Sequence, residues 1–108
     1  MVNIDNILKS IEEQSRSLAE KLFKQYAQEA LVDVRDFLRK STVNLERWVR
    51  ELGRREIDKS EFKSLVQGQL DVAEMRALKQ AGLAQVKIDI FVNGVLDIVV
   101  SAAFAAIP

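Results

Sequence analysis

The chain contains no cysteine and no histidine among its 108 residues. A Ser-His-Asp or Cys-His nucleophile pair, a structural zinc site, the usual haem ligands and a disulfide each need one or the other. With those chemistries gone, the reading is of a protein that is not an enzyme and holds no cofactor or metal. Glycine and proline together number five, while hydrophobic residues reach 48%. That balance belongs to a folded chain and not to a disordered one. The start, Met1-Val2-Asn3-Ile4-Asp5, has neither a basic region nor an apolar core of the secretory kind, so the expected location is cytoplasmic.

An excess of one charge sign is also missing. Sixteen Lys and Arg meet sixteen Asp and Glu, and the segments 1–30, 31–63 and 64–108 carry nets of only −1, +2 and −1. The densest basic group, Arg47, Arg50, Arg54, Arg55, Lys59 and Lys63, is interleaved with Glu46, Glu51, Glu56, Asp58 and Glu61. Phosphate binding by counterion release needs an uncompensated cluster, so the charge pattern argues against nucleic acid.

What is present is helical periodicity. Ile4, Leu8, Ile11, Leu18, Leu22, Tyr26, Ala30, Val34 and Leu38, with Ser15 in the one empty place, make nine steps over 34 residues. That spacing fits a helix stripe and no strand. The stripe continues through Leu45, Trp48, Val49 and Leu52, with a weak spot at Ser41-Thr42-Val43-Asn44, where short polar side chains compete for backbone groups. Trp48 and Tyr26 lie on it and read as core anchors, while Glu12 and Glu13, beside Lys9 and Arg16, read as a solvated salt-bridged face. Gly53 stands where a helix ends in the left-handed conformation, and Asp58-Lys59-Ser60-Glu61 has the form of a capping box before Phe62, Leu65 and Val66. A second arm follows with Phe62, Val66, Leu70, Ala73, Ala77, Ala81, Ala84, Ile88, Phe91, Val95, Val99, Ala102 and Ala106, interrupted by Gly68, Gly82 and Gly94. Gly82 and Gly94 match no phosphate-binding pattern.

The expected fold is therefore all-α and a single domain over 1–108: a long antiparallel helical hairpin, its arms either continuous or broken near 41 and 82, assembling into an oligomeric helical bundle. Unbroken arms would reach about 75 Å at 1.5 Å per residue and could not cover their own apolar surface. If the arms break, they fold back as a compact four-helix bundle. In either form, antiparallel neighbours across the turn have residue numbers summing to about 110, which sets Trp48 beside Phe62. One local signal competes. Val86 to Val92 and Val95 to Val100 are rich in β-branched residues and flank Asn93-Gly94, so an α+β fold with a C-terminal β-hairpin at 85–101 is the alternative. A lone hairpin is marginal without a sheet to join, and the Ala-rich end returns to helix formers. On the helical reading Gly94→Ala stabilises the protein unless a neighbouring helix leaves no room for the methyl.

The twenty residues from Ile88 to Ile107 hold only two charges, Asp89 and Asp97. Their length fits a membrane span, but on insertion scales roughly −3 to −7 kcal/mol from eleven large apolar residues is set against about +3 for Asp97 and somewhat less for Asp89. Burial in protein is favoured over the membrane. Phe91, Val95, Ile98, Val99, Ala102 and Ala106 are the expected interface, and Asp89, Asn93, Asp97 and Ser101, four residues apart, form a polar stripe that faces solvent or pairs with another helix. The functional expectation is a small homo-oligomeric helical scaffold or protein-interaction module, with another protein as a further partner. A membrane-docked helical hairpin using 88–107 is the alternative.

Overall fold

A computed structural model of the chain describes residues 3–107. Helix α1 spans Ile4–Leu22, α2 Ala27–Gly53, α3 Lys59–Ala73, α4 Arg76–Gln80 and α5 Gln85–Ala106, with a 3₁₀ turn at Lys24–Tyr26. Among the described residues there is no strand. The four long helices pack in a ring, α1 on α2, α2 on α3, α3 on α5 and α5 back on α1, running alternately up and down. The molecule measures 42 × 21 × 19 Å, its long axis close to the roughly 40 Å of 27 helical residues at 1.5 Å each.

The folded-back form of the hairpin is thus the one adopted, and extended arms are not. Its register agrees with the turn-centred expectation. Gln69 of α3 donates to Ser41 Oγ of α2 at 3.0 Å and accepts from Asn44 Nδ2 at 3.2 Å. Trp48 and Phe62 are both buried in the same core.

The break in the first arm falls elsewhere than the weak spot suggests. Helix α2 runs unbroken through Ser41-Thr42-Val43-Asn44, because the side chains that compete for backbone are engaged otherwise. Ser41 and Asn44 bond to Gln69, and Thr42 Oγ1 donates back to the Leu38 carbonyl at 2.7 Å within its own helix. The real break in the first arm is at Phe23, where no glycine or proline marks it. Its backbone leaves the helix at φ −149, and its ring meets Phe91 of α5 edge-on at 5.4 Å between centroids. Tertiary packing of one aromatic outweighs the local preference to continue. In the second arm the break spans Glu74 to Ala84, with Gly82 at φ +91 as anticipated.

The β-hairpin alternative is corrected. Asn93 and Gly94 lie inside α5, and Ile88, Phe91, Val95 and Val99 repeat at helical intervals toward the core. Alternation in 86–90 is the by-product of a helix that is apolar over most of its surface, and burial decides against β propensity.

Candidate functional site

The core is built from one stripe of each helix, including Ile7, Ile11 and Ala19 of α1, Val34, Phe37 and Leu45 of α2, Phe62, Val66 and Leu70 of α3, and Phe91, Val95 and Val99 of α5. On α1 the buried row is Ile7, Ile11, Ser15 and Ala19, so the stripe through Ile4, Leu8 and Leu18 is only its half-buried flank. Three polar side chains are buried with the core: Ser15, Asp33 and Ser41. Each has a different environment. Ser41 is bonded to Gln69, Ser15 Oγ has no protein partner, and Asp33 accepts the backbone N–H groups of Ala77 and Leu78, one on each carboxylate oxygen, both at 2.9 Å.

Asp33 fell on no motif in the sequence. Its carboxylate does for α4 what an N-cap side chain does locally, but it comes from a helix more than forty residues away. Met75, at the N-cap position of α4, makes no side-chain capping bond.

The residues expected at an interface occupy the chain's own interior: Phe91, Val95, Val99 and Ala102 are buried, with Ile98 and Ala106 half-buried against the core. The polar stripe of Asp89, Asn93, Asp97 and Ser101 is exposed. Gln85 Nε2 donates to Asp89 Oδ1 at 2.9 Å within α5, so this pair is local and reaches no other helix. The same outer face carries Val86, Ile90 and Phe104, exposed at 70%, 54% and 42%. It is therefore apolar at both ends and polar in the middle. Lys59 of α3 reaches across one end, its ammonium 5.6 Å from the Phe104 ring centre.

A surface cavity of about 660 Å³ lies at that end of the bundle between the α2–α3 turn and the last turn of α5. Arg55, Glu56, Asp58, Lys59 and Glu61 share it with Phe104 and Ile107. Neither sign dominates. Among the described residues, no group of three or more carboxylates is close enough to hold a metal ion. Glu12, read as part of a local face, instead pairs with Arg35 of α2. Elsewhere, Lys40 and Arg39 beside Asp36 hold its carboxyl below the ordinary aspartate range. Both are neighbours one helical turn away on an exposed surface, and such pairs tune solubility more than chemistry.

Helix α5 alone is long and apolar enough to cross a membrane, with 22 residues, a mean hydropathy of 1.9 and 44% of its apolar stretch buried among the described residues. No family model, curated protein or solved structure matches this chain.

Proposed function

We propose that this chain is a small protein-interaction module that self-associates through the outer face of α5 and works as a scaffold, without catalytic chemistry of its own. The observation that carries the reading is the composition of that face. Val86, Ile90 and Phe104 stand exposed on one side of the most apolar helix, while the helix's other side is already committed to the core. Exposed apolar residues at the two ends of one face, with the polar stripe of Asp89, Asn93, Asp97 and Ser101 between them, suit a surface covered by apolar contact at its ends and by hydrogen bonds in its middle. Zero net charge places no long-range repulsion between two copies. The location that goes with this reading is cytoplasmic.

Light scattering on the purified protein in detergent-free buffer tests it. A soluble species of defined mass, larger than the 12.2 kDa chain, is expected. Ile90→Lys, at an exposed position, is expected to return it to a monomer with its helical circular dichroism intact. A monomer at every concentration would overturn the self-association reading.

The length and hydropathy of α5 support a second reading, a bundle that docks on a membrane through the same face. Flotation with lipid vesicles separates the two. Protein that floats with vesicles and precipitates without detergent favours the membrane.

A further inference from the structure

We infer that residues 74–83 form a hinged strap, closed over the crevice between α3 and α5 by the Asp33 carboxylate. Four features of the segment converge on this. Its two ends are both in the left-handed region: Glu74 at φ +62 and Met75 at φ +48 on one side, Gly82 at φ +91 on the other. Two successive non-glycine residues in that region are costly, and such backbone persists only where the surroundings hold it. Within the strap α4 has five residues, too few to be stable by itself. What keeps it in place is tertiary: Met75, Leu78 and Leu83 are buried, and Asp33 clamps the amides of Ala77 and Leu78.

The clamp is charge-assisted and bidentate, the strong form of such a contact, yet it is a single residue. Its release leaves α4 with no cap and returns Glu74 and Met75 to ordinary backbone, so the relief of strain offsets part of the lost burial. A cavity of about 170 Å³ already lies under the edge of the strap, its floor Leu70, Met75, Ile88 and Val92 and its rim charged or polar, with Asp71 of α3 and Asp89 of α5 on it. Swinging Met75 outward enlarges it into a groove between α3 and α5 with an apolar floor and a polar rim, while the four long helices keep their mutual contacts.

Native-state hydrogen exchange in low urea tests the strap. The informative amides are Lys79, Ala81 and Leu83, which bond to Met75, Ala77 and Leu78 carbonyls and not to Asp33. In the unaltered protein they are expected to exchange faster than the core amides of α2 and α5, with little dependence on urea, as for an opening that exposes little surface. Asp33→Asn, which retains one acceptor oxygen, is expected to speed them by about tenfold or more. Glu74→Gly, which relieves the left-handed position, is expected to slow them several-fold, and it keeps the test decisive if Asp33→Asn does not fold. Exchange that follows the same urea dependence as the core would overturn the strap, as would unchanged rates in the variants.

Discussion

The two ends of α3 are closed by different means. Its N-terminus carries its own instructions: the Glu61 amide donates to Asp58 Oδ1 at 2.8 Å, and the Asp58 amide donates to Glu61 Oε1 at 3.1 Å. Every partner lies within four residues. Its C-terminus runs into Glu74 and Met75 in left-handed backbone, held by burial and by Asp33 from another helix. The first end is specified by neighbours in sequence, the second by neighbours in space. A local cap forms as soon as its own turn does, whereas the junction after Ala73 is favourable only once α2 is in place.

The same contrast orders the expected effects of substitution, and each measurement below can break it. Phe91 is fully buried and meets Phe23 at the break that no local signal marks. Phe91→Ala is expected to cost about 3–5 kcal/mol of unfolding free energy in urea. A cost below about 1 kcal/mol, typical of surface positions, would mean the α1–α2 break does not depend on packing.

Gly68 and Gly82 sharpen the local side of the comparison, since an added Cβ meets nothing within 4 Å at either. Only backbone conformation distinguishes them. Gly68→Ala, inside α3, is expected to gain up to about 1 kcal/mol, and Gly82→Ala, at φ +91, to lose about 1 kcal/mol. Thermal melts showing the same sign for both would contradict the left-handed hinge.

Gly94 gives the smallest net effect. It is helical, which favours Ala by about 1 kcal/mol, but a Cβ there would stand 2.5 Å from Leu18 Cδ2 of α1. The exception attached to the sequence reading therefore applies, and the expected gain is cancelled by displacing Leu18. Leu18 is half-buried, so its side chain can yield at modest cost. In a double-mutant cycle, Gly94→Ala is expected to stabilise the Leu18→Ala protein by about 1 kcal/mol while leaving the parent near zero. An equal gain in both backgrounds would show that the helices do not approach closely there.

What was legible in the sequence follows the same division. The capping box at Asp58 and the bend at Gly82 were readable because their causes lie within a few residues. The turn after α2 was placed but its left-handed residue was not: Gly53 is the last helical residue, and Arg55 takes that conformation at φ +61. The core rows of α3 and α5 were readable from helical spacing, since Phe62, Val66, Leu70, Ile88, Phe91, Val95 and Val99 are all buried, but between them the stripe slips: Ala81 and Ala84 are exposed, and Met75, Leu78 and Leu83 are buried instead. The break at Phe23 was not readable, because the ring it packs against, Phe91, is nearly seventy positions away. Asp33 was equally hidden: on α2 it reads as one more surface acid until α4 is folded against it. The β-branched run in α5 misled for a related reason. Such residues suit a strand and also suit a helix buried on most sides, and only the neighbours decide between them.

The most direct measurement places the two caps side by side, as urea-unfolding free energies of Asp33→Ala and Asp58→Ala. Loss of the local cap is expected to cost about 1 kcal/mol. Removing Asp33 strands two amide donors beneath a strained junction and is expected to cost about 2–3 kcal/mol. A larger loss for Asp33 is the result that a junction specified in space requires. An Asp58→Ala loss equal to or greater than that of Asp33→Ala would contradict it.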